Sequence, residues 1–176
     1  MLYPLNLIRV SKYIQPCTLE AAYEVASNLR PDDLREVVEG HGHNPLVSLP
    51  LASLSGFCVS FTVPNGKTAG VAGVATGNCI WMLTTPAIHE YPLTFAREAK
   101  RFIESRPEPY LWNVVDKRNT VHLKLLQFLG FKFLREIIYG PNNLTFIEFI
   151  RVRTNFDGDL RGSRLLCPIS DGSQCQ

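Results

Sequence analysis

Residues 114–131 of the chain (VVDKRNTVHLKLLQFLGF) carry polar side chains where an apolar run gives way to a short helix. Imidazole titrates near neutral pH, so His122 is a candidate for proton transfer. The alternative is structural, with His122 filling space in a partly buried position. Asp116 and Asn119 would then serve the turn and the helix cap, and Gly130 would end the helix.

Two other motifs suggest ligand binding but favour a structural interpretation. The sequence NGKT at 65–68 ends like a phosphate-binding loop, yet Phe61 stands where that loop requires glycine, so an Asn-Gly hairpin turn is favoured. His41 and His43 could bind zinc or copper, but no acidic or thiol cluster accompanies them at a recognisable spacing. A solvated loop is therefore favoured, and we expect no metal site.

The composition limits the classes of protein that the chain can represent. Its 176 residues are 45% hydrophobic and 19% charged, which suits one well-buried domain. A formal net charge of +2 gives no global field for nucleic acid, and no apolar run predicts a membrane span. Five cysteines without a Cys-x-x-Cys pair indicate a reducing compartment. We expect a protein that is not exported by its own signal, since the first residues lack a signal-peptide pattern.

Hydrophobic periodicity and turn residues predict an α/β domain over residues 1–153 and an extended polar tail over 154–176. Thr18 is expected to cap a first helix, Pro31 to open a second helix that ends at Gly40, and Pro50 to limit a third. Further helices are expected after the fourth and fifth strands. The predicted strands are residues 6–14, 57–63, 68–75, 79–86, 109–115, 131–140 and 144–152.

Two details of packing follow from the same patterns. In the second helix, Leu34, Val37 and Val38 are expected to face inward, while the acidic pair at 32–33 favours the helix start. Residues 70–77 (GVAGVATG) indicate a glycine-rich strand, where missing side chains allow a neighbour to pack closely.

The helix start at Asn119, followed by Gly130-Phe131, resembles the Asn-x-x-Ala…Tyr…Gly-Phe signature of the GCN5-related N-acetyltransferase superfamily. This resemblance implies a mixed, mainly antiparallel central sheet with helices on both faces. It also implies that the strands at 79–86 and 109–115 splay apart, and that acetyl-coenzyme A enters the V-shaped cleft between them.

A narrower resemblance covers most of residues 7–153. The stretch LWNVVDKRNTVHLKLLQFLGF at 111–131, together with WMLTTPAI and REAKRFIES before it, is similar to the acetyltransferase-like internal virion or virion-assembly proteins of short-tailed phages. It implies a location in the virion after synthesis in the host cytoplasm. It also implies protein partners, either other phage virion proteins or copies of the same chain.

Against the superfamily pattern, the expected cofactor and proton-donor positions are altered. The stretch TTPAIHEYPLTF, where the superfamily has a glycine-rich pyrophosphate loop, contains no glycine, and Pro86 and Pro92 remove amide donors. Leu126 stands at the position of the proton-donating tyrosine, and His122 is a candidate substitute acid. We therefore expect no cofactor. If acetyl-coenzyme A does bind, the resemblance points to Leu83, Thr84, Thr85 and Asn119, and if the chain is active, Asn119 and His122 are the catalytic candidates.

These observations lead to three hypotheses. The first is a virion-associated or virion-assembly protein on a degenerate acetyltransferase-like fold, acting through protein contacts without enzymatic activity. The alternative is an active N-acetyltransferase that modifies a phage or host amine, and a weaker alternative is a host-takeover factor that binds one host protein. Under the first hypothesis the tail supplies spaced apolar contacts to a partner, namely Leu160, Leu165, Leu166 and Ile169.

Overall fold

The computed structural model describes residues 11–153. The strands are β1 (Ile14–Pro16), β2 (Phe57–Thr62), β3 (Thr68–Ala75), β4 (Cys79–Thr84), β5 (Tyr110–Asp116), β6 (Lys132–Tyr139) and β7 (Leu144–Val152). The helices are α1 (Leu19–Ser27), α2 (Pro31–Arg35), α3 (Pro45–Ser55), α4 (Ala87–Glu90), α5 (Pro92–Glu104) and α6 (Thr120–Phe128), with a π-helical turn at Glu36–Gly40 after α2. The predicted tail, with Leu160, Leu165, Leu166 and Ile169, lies outside the described residues.

The strands form one sheet in the order β1-β2-β3-β4-β5-β7-β6. Neighbouring strands run antiparallel, except that β4 and β5 are parallel. A parallel pair requires a crossover connection, which α4 and α5 provide. The mixed, mainly antiparallel sheet agrees with the predicted α/β fold class.

Helices cover both faces of the sheet because alternate strand residues are apolar on each face. On one face, α5 and α6 pack on a core that includes Phe61, Phe102 and Phe149. On the other face, α1 and α3 enclose a smaller core around Val25, Leu49 and Val71. No helix within residues 11–153 is long and apolar enough to cross a membrane.

Local sequence signals are confirmed at several turns and caps. The Thr18 hydroxyl accepts a hydrogen bond from the Ala21 amide at 3.1 Å, as an N-cap does. The Asn-Gly turn joins β2 to β3 with Gly66 at a φ of 82°. Gly130 follows α6 with a φ of 84°, the left-handed conformation that glycine adopts at low cost.

The glycines of β3 are needed where neighbouring strands approach closely. A side chain at Gly73 would come within 2.5 Å of the Trp81 ring, and one at Gly70 within 2.7 Å of the Leu83 carbonyl oxygen. The prediction of a tightly packed glycine-rich strand is therefore confirmed.

Three expectations about elements are wrong in detail. The strand predicted over 6–14 overlaps β1 only at Ile14, because residues 11–13 form a turn, and residues 6–10 lie outside the described residues. Pro50 lies inside α3 instead of ending it, because packing of the helix on α1 offsets the backbone bond that proline cannot donate. In α2 and the π turn, Val37 is buried as predicted, but Leu34 and Val38 are exposed, and Asp33 is buried because it pairs with Arg30 inside the protein.

Candidate functional site

Strands β4 and β5 separate soon after they meet. Among the described residues they are paired only at Cys79 and Trp112. Beyond that point the Asn113 side-chain amide donates to the Ile80 carbonyl at 2.7 Å, and its oxygen accepts from the Val114 amide at 2.7 Å. The Asn113 side chain thus takes the place of the next ladder bond and holds the two strands apart.

The separation leaves part of the β4 backbone open between two anchored residues. The Thr84 amide donates to Asp33 at 3.0 Å and the Thr84 carbonyl accepts from the Arg30 amide at 2.9 Å, both on the side away from β3. Because strand residues alternate in the direction of their backbone groups, the Met82 N–H and C=O face the same side as those of Ile80 and Thr84. Met82 therefore offers one donor and one acceptor to the space between β4 and β5.

A cleft of about 160 Å³ occupies this space and is lined from both faces of the sheet. The lining at the end nearer α3, here called the α3 end, comprises Glu36, His41, His43, Ser48, Leu49 and Ala52. The lining at the end nearer α6, here called the α6 end, comprises Ile103, His122, Leu125, Leu126 and Leu129. The α6 end is thus mainly apolar, and the α3 end carries most of the polar groups.

A buried network of charged and polar side chains closes the cleft beyond Thr84. Arg30 and Asp33 are only 2% and 1% exposed, and the Arg30 Nη2–Asp33 Oδ1 distance is 2.9 Å. Arg30 Nε also donates to the Thr84 hydroxyl at 2.9 Å, which in turn donates to Asp33 at 2.6 Å. Such a buried ion pair is stable only when its polar atoms are satisfied, as these hydrogen bonds achieve.

Asn119 connects this network to the cleft. Its side-chain oxygen accepts from Arg30 Nη2 at 3.1 Å and caps α6 by accepting from the His122 amide at 3.4 Å. Its side-chain nitrogen donates to Asp33 at 2.9 Å and to Glu36 Oε2 at 3.0 Å. The predicted helix cap therefore also orients the Glu36 carboxyl group.

Glu36 is the acidic side chain in the lining of the cleft. Removal from water raises the pKa of its carboxyl group to about 8, and the negative charges of Asp33 and Asp116 act in the same direction. The hydrogen bond from Asn119 opposes the rise by favouring the carboxylate. A carboxyl group that titrates near pH 8 can exchange protons close to neutral pH.

The structure buries His122 at the α6 end of the cleft. Its Nδ1 lies 3.5 Å from Asp33 Oδ1, and its Nε2 lies 3.5 Å from the Thr84 hydroxyl. Burial lowers the pKa of His122, although the attraction of Asp33 opposes this effect. Leu126 lines the same end of the cleft, and its aliphatic side chain cannot donate a proton.

His41 and His43 lie in a loop, as predicted, but the loop is partly buried instead of fully solvated. Both line the cleft, with ring centroids 5.8 Å apart in a stacked arrangement. His41 Nδ1 lies 3.2 Å from the Tyr139 hydroxyl, because the π turn brings this segment against the hairpin of β6 and β7. Burial and the neighbouring His43 lower the pKa of His41 to about 4. No group of potential metal ligands occurs within residues 11–153.

The residues expected to bind acetyl-coenzyme A fall in different environments. Leu83 lines the cleft. Thr84 and Thr85 are buried, and the Thr85 hydroxyl donates to the Thr68 carbonyl at 2.8 Å. After them, Glu90 turns away from β4 and pairs with Lys67, Oε1 to Nζ, at 2.7 Å.

Sequence reasoning missed the roles of Arg30, Asp33, Glu36 and Asn113. The first three recur at intervals of three residues in NLRPDDLREV, which places them on one face of a helical segment. This shared face was the sequence signal for a polar cluster. The signal is weak, because acidic residues at a helix start are normally solvated. Asn113 lies within an apolar strand and carries no comparable signal.

Comparisons with known proteins identify the fold. The structure superimposes on a ribosomal-protein-alanine N-acetyltransferase from Brucella melitensis with a TM-score of 0.60 and 12% identity, covering 80% of this chain and 99% of the other. The microcin C7 self-immunity acetyltransferase, in complex with acetyl-CoA and AMP, gives a TM-score of 0.58 and 11% identity, covering 82% and 95%. A spermidine N-acetyltransferase from Vibrio cholerae, in complex with CoA and spermine, gives 0.57 and 9%, covering 79% and 94%.

The chain therefore has a GCN5-related N-acetyltransferase-like fold, as its sequence predicted. No protein-family model matches the sequence. No curated protein matches it at a significant level either.

The first functional hypothesis needs correction. A virion or virion-assembly protein that acts only through protein contacts is contradicted, because the structures that match are acetyltransferases, two of them in complex with acetyl-CoA or CoA. The altered loop and Leu126 concern pyrophosphate binding and one proton donor, and they leave the open β4 edge and Glu36 unaffected. The comparisons favour the alternative, an enzyme, over the virion role.

Proposed function

We propose that the chain is an acetyl-CoA-dependent N-acetyltransferase that acts on a primary amine. One observation carries the proposal: Asn113 holds β4 and β5 apart, so that the open Met82 backbone faces a cleft with Glu36 at one end. The resemblance of residues 111–131 to phage proteins supports a phage or host amine as the acceptor.

The cleft suits the pantetheine arm of acetyl-CoA. That arm carries amide groups, and the Met82 N–H and C=O can pair with an amide as a neighbouring strand would. Leu125, Leu126 and Leu129 offer an apolar wall to its methylene groups. When bound, the cosubstrate supplies an acetyl thioester. Pro86 and Pro92 lack the amide protons that would bind the pyrophosphate of acetyl-CoA. We therefore expect the pantetheine arm to contribute most of the affinity for acetyl-CoA.

Glu36 is the group we assign to proton removal. An alkyl ammonium must lose a proton before its nitrogen can attack a carbonyl, and a carboxylate with a pKa near 8 is a suitable acceptor. The Asn119 side-chain amide donates to Glu36 Oε2 at 3.0 Å, and a backbone hydrogen bond at Asp116 also favours the carboxylate form of Glu36. Glu36 therefore defines the α3 end as the side from which the amine approaches.

The proton balance needs no acid at Leu126. The Glu36 carboxylate takes the first proton from the ammonium and later releases it to water. The amine nitrogen then forms a bond to the acetyl carbon while the carbon–sulfur bond breaks. The second proton from the nitrogen neutralises the departing thiolate, so that free CoA and an amide result. His122 remains a candidate for passing this proton, since it lines the α6 end.

Two measurements test this function. Isothermal titration calorimetry with acetyl-CoA should give a dissociation constant in the micromolar range. Thiol release from acetyl-CoA in the presence of a primary amine should rise with amine concentration, and mass spectrometry should detect the amide. The absence of binding at millimolar acetyl-CoA, together with the absence of amide, would contradict the proposal.

A further inference from the structure

The α3 end of the cleft carries one carboxyl group, the Ser48 hydroxyl and two imidazoles, and apolar side chains form the rest of its walls. Val37, Leu49 and Ala52 line it from the helical side, and Trp81 and Leu83 line it from β4. Trp81 and Leu83 share one face of the strand, where they pack partly buried on the smaller core. An acceptor that reaches Glu36 therefore contacts mainly apolar surface.

The His41 and His43 imidazoles at this end add aromatic surface. The pKa of His41 is lowered to about 4, so its ring is neutral at pH 7. His43 stacks on it at a centroid distance of 5.8 Å, and the Tyr139 hydroxyl engages His41 Nδ1. The neutral His41 ring suits an aromatic or aliphatic group of the acceptor better than an ionic group.

Charges near the cleft are already balanced, except at Glu36. Asp33 is paired with Arg30 inside the protein, and Asp116 with Arg118 at 2.7 Å. No lysine or arginine belongs to the lining among the described residues. A second ammonium on the acceptor would therefore find no second carboxylate in the lining to pair with, and a carboxylate would find no lysine or arginine.

We propose that the acceptor is a small primary monoamine attached to an apolar or aromatic group, of the arylalkylamine type. This inference rests on the proposed acetyltransferase function and specifies its substrate class. The single ammonium meets Glu36, while the apolar part contacts Leu49, Ala52, Trp81 and the neutral His41 ring. Polyamines and free amino acids are excluded as good substrates by their second charge.

The test is a comparison of kcat/KM for acetyl transfer to four acceptors by the full chain. The acceptors are 2-phenylethylamine, phenylalanine, spermidine and a short peptide with an apolar first residue. Phenylalanine differs from 2-phenylethylamine by one carboxylate, and spermidine carries additional ammonium groups. We expect 2-phenylethylamine to exceed each charged acceptor on the order of 100-fold.

A pair of variants on α3 tests the apolar wall itself. Ala52→Asp adds a carboxylate to the lining, so spermidine should gain about 10-fold in kcat/KM and 2-phenylethylamine should lose about 10-fold. Leu51→Asp adds the same charge at the preceding residue, which is 60% exposed and outside the lining. This variant should leave kcat/KM for both acceptors unchanged. Thermal unfolding of both variants shows whether each remains folded.

The outcomes separate the two proposals. If acetyl-CoA binds and spermidine, phenylalanine or the peptide is the best acceptor of the wild-type chain, the substrate class is overturned while the acetyltransferase function stands. If acetyl-CoA does not bind and no acceptor is acetylated, both are overturned. A preference for 2-phenylethylamine that Ala52→Asp weakens and Leu51→Asp preserves supports the inference.

Discussion

The two edges of β4 differ sharply. Toward β3, six consecutive residue pairs connect the strands, from Gly70 opposite Thr84 to Ala75 opposite Cys79. Toward β5, one pair connects them within the described residues. The first edge is a regular antiparallel ladder, tightened by glycines, and the second is an opening in the sheet.

Side chains replace the ladder at the open edge. Asn113 binds the Ile80 carbonyl at one end, and Asp33 binds the Thr84 amide at the other. Between these anchors Met82 stays open to the cleft. The difference teaches that one strand can serve as scaffold on one edge and as a binding edge on the other, provided that side chains satisfy the backbone at the points where the ladder stops.

The largest expected effect comes from breaking the anchor at Thr84. Asp33→Ala leaves the Arg30 guanidinium buried without its carboxylate, so the free energy of unfolding should fall by about 3–5 kcal/mol. Asp32→Ala is the matched control, because the partly exposed Asp32 carboxylate pairs with Arg35 at 2.8 Å and reaches Arg30 only at 3.9 Å, so its loss should cost at most about 1 kcal/mol. Urea unfolding measures both values, and equal losses would show that the open edge does not depend on this anchor.

The next effect concerns chemistry at the open edge. Glu36→Gln removes the proton acceptor but keeps a side chain that Asn119 can bind, so kcat/KM for the amine should fall about 100-fold. The wild-type rate should rise with pH to a plateau above an apparent pKa near 8, and the variant should lack this rise. Calorimetry should find acetyl-CoA binding unchanged. An unaltered pH profile in the variant would exclude Glu36 as the base.

The same carboxyl group should affect stability in a pH-dependent way. Its pKa in the folded protein, about 8, lies above the ordinary 4.5, so its contribution to stability is fully present below pH 4.5 and is lost as the pH rises through 8. Glu36→Gln cannot ionise and should therefore be more stable than wild type by about 2 kcal/mol above pH 8. The difference should vanish near pH 4.

Urea unfolding at pH 4 and pH 9 measures this change. Glu39→Gln is the control, since Glu39 is an exposed carboxylate of the same π turn, paired with Arg118 at 3.0 Å. A similar pH-dependent difference in both variants would show that burial in the cleft is not its cause.

The smallest expected effect tests the anchor near Cys79. Asn113→Asp keeps the oxygen that accepts from Val114 but loses the donor to the Ile80 carbonyl, which should cost about 1 kcal/mol of stability. Because the hydrogen bond that holds β4 and β5 apart is then lost, the affinity for acetyl-CoA should fall about 10-fold. Asn142→Asp, at an exposed turn outside the cleft, serves as the control. Unchanged affinity in Asn113→Asp would mean that the opening is maintained without this side chain.

Much of the fold was predictable because its signals are local. The Asn-Gly turn before β3, the Thr18 cap and the alternation along the strands each depend on a few neighbouring residues. Boundaries that depend on packing were less predictable. Pro50 stays helical because α3 packs on α1, which no local pattern indicates.

The candidate site was predictable only in part. Asn119 was identified because a helix cap has a short-range signature, but its bonds to Asp33 and Glu36 join residues more than 80 positions apart. Asp33 was correctly assigned to a helix start, but its burial with Arg30 and Thr84 as partners was not predicted. Such pairs have no signal in one sequence, since either partner alone resembles a surface residue.

The sequence by itself determined the order of helices and strands, the turns between them and the acetyltransferase-like fold class, because hydrophobic period and turn chemistry act over a few residues. Only the tertiary structure decided that β4 and β5 part at Asn113, that Met82 faces the opening, and that Glu36 is desolvated there. Burial and long-range hydrogen bonds set the protonation of a side chain, and both depend on which distant segments the fold brings into contact.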